Sequence, residues 1–190
     1  MTQAEFLTEI VRHLSEASLP YMVTGSIASG RYGEMRASFD SDIVVDAPLE
    51  HVLRFARSFG QDYYVSEDAV RDAWRRRSMF NIIHFASGNK ADIICRKDHD
   101  YARAAFARRR RDEALGLQVD LCSPEDIILA KLDWSKRGES ERQYRDALGV
   151  AKTQGASLDL AYLRQWAGEI GVSDLLARPF QDSQLIAGDE

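Results

Sequence analysis

The chain has 190 residues, 45% of them hydrophobic and 29% charged, which describes a globular protein rather than a disordered or fibrous one. Its net charge of −5 argues against a broad nonspecific nucleic-acid binder, and no apolar run approaches the ~18 residues of a membrane helix. The two cysteines, Cys95 and Cys122, stand far apart with no CxxC, so neither a disulfide framework nor a zinc ribbon is indicated. The first residues lack a basic segment followed by an apolar one, and the expected location is the cytoplasm.

In chain order, Thr2-x-x-Glu5 is a capping-box pattern, and Phe6, Ile10 and Leu14 then mark an amphipathic helix to about Ser18. Pro20 ends it. Tyr21 to Thr24 reads as a short buried strand, Gly25-Ser26 as a turn, and the stretch to Gly33 as a short helix. Ser41 to Asp46 is a strand, Leu49 to Ser58 a helix, Asp62 to Val65 a strand and Glu67 to Arg77 a polar helix. Two strands follow, Met79 to Phe85 and Lys90 to Cys95, joined by the hairpin signal Ser87-Gly88-Asn89. From about Asp98 the pattern becomes helical, with Ser123-Pro124 as a helix start and further helices at about 139–153, 159–169 and 173–182. The expectation is an α/β N-terminal half and an all-helical C-terminal half.

Three features carry chemistry. Gly25-Ser26 opens a helix after a strand, where glycine lets a ligand approach the backbone and Ser26 offers a hydroxyl and an amide to an anion. Asp40-x-Asp42 leads into Ile43-Val44-Val45, and alternate strand residues share a face, so both carboxylates point the same way. Such a pair suits a hard divalent cation; it also suits a polar strand entrance with Asp40 in a turn. Asp92 lies inside an apolar strand, where an ionised group is costly unless paired or metal-bound. If that strand lies beside the Asp42 strand, three carboxylates meet at one site.

Other motifs fall away. Gly25-x-x-x-x-Gly30 is followed by Arg31-Tyr32 where a phosphate-binding P-loop needs Lys-Ser/Thr, and the glycine spacing does not fit G-x-G-x-x-G. His13, His51, His84 and His99 show no metal-ligand spacing, and Trp134 and Trp166 read as core residues on apolar stripes. The runs Arg75-Arg76-Arg77 and Arg108 to Arg111 read as solvated helix faces, although such patches can grip a polyanion.

Gly25-Ser26, a short helix, Asp40-x-Asp42 and a later strand aspartate together resemble the polymerase-β-type nucleotidyltransferase superfamily. The run from Tyr32-Gly33 through Arg36 and Ser38 to Asp42 is similar to bacterial minimal and abortive-infection-type, toxin-like members. The resemblance implies an α+β fold, a mixed sheet flanked by helices, with residues 1–98 as the catalytic domain and 99–190 as a helical region completing the cleft. It further implies that Gly25 and Ser26 hold nucleotide phosphates and that Asp40, Asp42 and Asp92 bind Mg²⁺ or Mn²⁺. Asp92 would also take the acceptor's proton, and Lys131 would bind the triphosphate. The donor would be an NTP, with ATP expected, and the acceptor a hydroxyl on a protein, a tRNA or a small molecule.

Helical geometry gives Lys131 its own interest, because it falls inside the apolar sector of its helix, between Ile127 and Ile128. It either snorkels to water or meets an anion. Asp146, which the resemblance promotes, reads from spacing as an exposed i, i+4 pair with Arg142. Glu125, Asp126 or Glu139 could supply carboxylates for a cationic acceptor. A non-catalytic nucleotide- or partner-binding protein of the same fold, as in a toxin–antitoxin-like system, is the alternative reading. A glycosyltransferase using Asp40-x-Asp42 is a more distant third.

Overall fold

The computed structural model describes residues 1–35 and 40–182. Arg36 and Ser38 of the Tyr32–Asp42 run therefore lie outside the described residues. Within them the elements run α1 (Gln3–Glu16), β1 (Tyr21–Val23), α2 (Gly25–Tyr32), β2 (Asp40–Val45), α3 (Leu49–Arg57), β3 (Tyr63–Tyr64) and α4 (Glu67–Arg76). They continue with β4 (Met79–His84), β5 (Lys90–Cys95), α5 (Asp100–Ala107), β6 (Arg110–Ala114) and β7 (Leu117–Leu121). The last four α-helices are α6 (Pro124–Gly138), α7 (Glu141–Gln154), α8 (Leu160–Glu169) and α9 (Ser173–Asp182), with a 3-10 turn at Gly155–Ser157 between α7 and α8.

Local signals explain several of these boundaries. Thr2 and Glu5 form a reciprocal capping box on α1, and Ser123 caps α6 with Pro124 at its first turn. The β4–β5 hairpin turns through Gly88 at φ +70°, a conformation glycine adopts without strain.

One mixed sheet of seven strands forms in the order β3-β4-β5-β2-β1-β7-β6 among the described residues. β2 is antiparallel to β1 and parallel to β5, and β1 is parallel to β7. On β2, Ser41, Ile43 and Val45 are buried against the core, so Asp40, Asp42 and Val44 point to the opposite face. The core is one continuous apolar cluster that includes α1, the central strands and α6.

The expected all-helical C-terminal half is corrected at 110–121, where β6 and β7 extend the sheet across β1. The sequence hides β6 because it is an edge strand reading Arg-Arg-Asp-Glu-Ala, and charged side chains are how exposed edges avoid further pairing. The run Arg108 to Arg111 is accordingly not one helix face. It ends α5 and starts β6, with Arg108 over the Tyr162 ring at 3.9 Å and Arg110 over Tyr32 at 5.3 Å.

The end of α2 packs closely against α7. A Cβ at Gly33 would stand 2.8 Å from the Val150 amide nitrogen, so only glycine lets α7 pass this close. Gln154 then donates to the Tyr32 carbonyl at 2.9 Å and fastens the end of α7 to the end of α2.

Candidate active site

The register of two strands assembles the acidic centre. β2 and β5 run parallel with Asp42 directly beside Asp92, and Asp40 beside Lys90. Neighbouring strands lie about 4.8 Å apart, so backbone pairing alone puts Asp92 beside Asp42. On the far side of Asp92 stands Asn81 of β4, which donates to its carboxylate. Burial first, and then the neighbouring Asp92 charge, push the Asp42 carboxyl above its ordinary range, with Lys131 opposing.

Lys90 supplies a positive charge at this centre, 3.1 Å from Asp92 and 3.6 Å from Asp40. Burial works against its ammonium, but the two carboxylates outweigh that and hold its pKa above the ordinary value.

Gly25 is explained by Asp42. The residue has φ +63°, and a Cβ there would come 1.8 Å from Asp42 Oδ2. The group that uses the open glycine is thus a carboxylate of the chain itself, seated at the start of α2. The helix dipole favours negative charge at that end, and the N-cap residue Thr24 makes no side-chain capping bond there. Two further bonds clip α2 to β2: the Thr24 amide donates to the Asp42 carbonyl at 2.9 Å, and Ser26 Oγ to the Asp40 carbonyl at 3.4 Å.

Lys131 does not snorkel. It is 5% exposed and donates to Asp146 and Gln143 of α7, each at 2.8 Å. The expectation of an exposed Asp146–Arg142 pair is therefore corrected: Asp146 faces inward and shares its charge with α6. Its spacing from Gln143, three residues on one helical face, could have suggested a common partner.

These groups open on a cleft of about 360 Å³ between the sheet face and helices α5 and α6. Trp134 is corrected as well. It is 59% exposed and lines this cleft instead of entering the core, whereas Trp166 is buried as expected. Glu125 and Asp126 are already committed. Glu125 accepts from the Asp159 amide at 3.0 Å and from Arg108 at 3.1 Å; Asp126 accepts from Tyr162 at 2.8 Å and from Ser123 at 2.7 Å. They bind the start of α6 to α8 and α5, while Glu139 is exposed in a left-handed cap after α6.

Among the described residues, no three His, Cys, Asp or Glu side chains already converge on one point as a finished coordination sphere. The donor chemistry nevertheless fits a hard divalent cation. Asp42 and Asp92 are paired across adjacent strands with Asp40 one pleat away on the same face, burial and like charge disfavour ionised Asp42, and the chain sets its own ammonium near Asp40 and Asp92.

No family model and no curated protein matches the chain. Solved structures do. The antibiotic-resistance factor ANT(2″)-Ia in solution aligns over 93% of this chain and 97% of its own, at 14% identity and a TM-score of 0.60. ANT(2″)-Ia in complex with adenylyl-2″-tobramycin aligns over 89% and 98%, at 18% identity and a TM-score of 0.56. An antigenic nucleotidyltransferase-like protein from Paracoccidioides brasiliensis aligns over 90% and 91%, at 16% identity and a TM-score of 0.53. At these identities the likeness is one of fold, and the α+β fold expected from sequence is the one these proteins share.

Proposed function

We propose that this chain is a metal-dependent nucleotidyltransferase that moves an NMP from an NTP to an acceptor hydroxyl. The observation that carries the reading is the Asp42–Asp92 register, with the start of α2 packed against Asp42. ATP is the donor we expect, a choice supported by the adenylylated product bound to ANT(2″)-Ia.

Gly25 and Ser26 would present the start of α2 to the terminal phosphates, and Lys131 would balance charge on the triphosphate. Asp40, Asp42 and Asp92 would hold Mg²⁺ or Mn²⁺, which when bound would polarise the phosphates and lower the pKa of the attacking hydroxyl. The acceptor oxygen attacks the α-phosphorus in line, its proton passes to the Asp92 carboxylate, and the bond from the α-phosphorus to the bridging oxygen breaks. Pyrophosphate leaves with that electron pair. Asn81 would keep Asp92 oriented by donating to its carboxylate.

The test is transfer of label from α-³²P-labelled NTPs to protein, bulk tRNA or an aminoglycoside panel. The comparison is with a variant combining Asp40→Ala and Asp42→Ala. Label that moves to one acceptor class and is lost in the variant supports the reading; equal label from the variant overturns the assignment of the two aspartates. Lys90 favours a second reading, in which the chain binds nucleotide without turning it over, because its ammonium already lies between two of the carboxylates. NTP binding with no transfer by the parent, and transfer gained on Lys90→Ala, would select that reading.

A further inference from the structure

The cleft has an apolar wall that phosphate, metal and proton chemistry leave unused. Trp134 stands three residues after Lys131 on α6, roughly 4.5 Å further along the helix axis. Helical side chains lean toward the N-terminus, over the residues three and four before them, which here are Lys131 and the small Ala130. Ala130 lines the same cleft. Among the described residues no aromatic ring or guanidinium stacks on Trp134, in contrast to Trp74, which carries Arg77, and Trp166, which packs beside Tyr101.

The floor repeats the pattern. On β5, Ile94 follows Asp92 on the same face; on β2, Val44 follows Asp42; Met79 of β4 pairs with Ile94 and is 49% exposed. Sheet and helix therefore change from charged to apolar over a similar distance, about 7 Å on the strands and about 5 Å on the helix. A nucleoside triphosphate has the same order of chemistry, a polyanion joined through a sugar to a flat aromatic ring. A polycationic sugar does not.

We propose that Trp134 is the stacking platform for the base of the nucleotide, with Met79 and Ile94 lining the same slot from the sheet. The proposal rests on the cleft's being the NTP site. Stacking accepts any base with a π face, so Trp134 would govern affinity for the nucleoside half while Lys131 governs the phosphate half.

The experiment separates those halves. The full chain with Mg²⁺ is titrated with ATP and with inorganic tripolyphosphate, followed by tryptophan emission and by calorimetry. Trp134 is the most exposed of the three indoles, since Trp166 is buried and Trp74 is half-buried with its indole N–H on the Ala47 carbonyl. Quenching is expected from ATP and not from tripolyphosphate. Trp134→Ala should weaken ATP binding roughly 5- to 100-fold and leave tripolyphosphate binding within about twofold, and Trp134→Phe should keep most of the ATP affinity. Unchanged ATP affinity in Trp134→Ala overturns the platform, and so does an equal loss for both ligands. A parent that binds tripolyphosphate but ATP no more tightly also overturns it. A parent that binds neither ligand removes the NTP site itself.

Discussion

Lys131 on α6 and Asp146 on α7 meet at 2.8 Å inside the protein, with Gln143 accepting a second bond from the same ammonium. The pair ties together the two helices that flank the candidate phosphate site. It also gives the buried Lys131 side chain the partners without which its burial would be costly.

Removing only the carboxylate should therefore be worse than removing both charges. Asp146→Asn is expected to cost about 3 kcal/mol of stability, because it strands a buried cation. Lys131→Met combined with Asp146→Asn should recover much of that loss. Urea denaturation of the two single variants and the double variant completes the cycle. Additive losses would show that the two groups do not act on each other.

Gly25→Ala should be severe for a different reason. The added methyl would overlap Asp42 Oδ2 and must also accept φ +63°. We expect a loss of at least about 1 kcal/mol together with loss of nucleotide binding, because the Asp42 carboxylate has to leave its seat. Thermal melting and ATP calorimetry would report both. Normal binding in a folded Gly25→Ala protein would show that the seat is dispensable.

Asp42→Asn should separate stability from function. Burial and the neighbouring Asp92 disfavour the ionised carboxylate, so the amide relieves a cost of the fold. A gain of roughly 1 kcal/mol in the metal-free protein is expected alongside loss of transfer, as happens where a site is held against stability. A drop in Tm for Asp42→Asn would contradict the assigned repulsion.

His13 supplies a pH dependence. It is buried on α1 beside the Phe59 ring at 4.2 Å, and Arg12 donates to its Nε2 at 3.0 Å. Ser58 Oγ donates to the Phe55 carbonyl, so it accepts from Nδ1–H at 2.7 Å, which makes the ring neutral. Burial, and then the Arg12 charge, lower its pKa from the ordinary 6.5. With a folded value below the unfolded one, its contribution is complete above 6.5 and is lost as pH falls through that value toward the lower folded one. Denaturation midpoints at about pH 7.5 and about pH 5.5 should differ more in the parent than in His13→Gln, by up to one proton's worth of slope. Identical slopes would remove His13 as the cause.

Much of the fold was legible because its signals are local. The capping box at Thr2 and Glu5, the Ser123-Pro124 start, the hairpin at Gly88 and the alternation through Asp40, Asp42 and Val44 depend on residues within a turn or a strand of one another. β6 was hidden because an edge strand need not bury alternate residues, and its charged composition mimics a helix surface.

The sequence by itself determined which chemical groups the protein owns and which strand face or helix sector each occupies. Asp40 and Asp42 had to share a face, and Lys131 had to sit in an apolar sector, because backbone periodicity leaves no choice. Tertiary structure decided the pairings. It put Asp92 beside Asp42 through a parallel register between strands 50 residues apart in sequence, gave Gly25 a carboxylate for its neighbour, turned Asp146 inward to Lys131 and left Trp134 facing the cleft. Each of these is a contact between segments remote in the chain. Periodicity fixes the direction of a side chain within its own element, and only packing between elements supplies its partner.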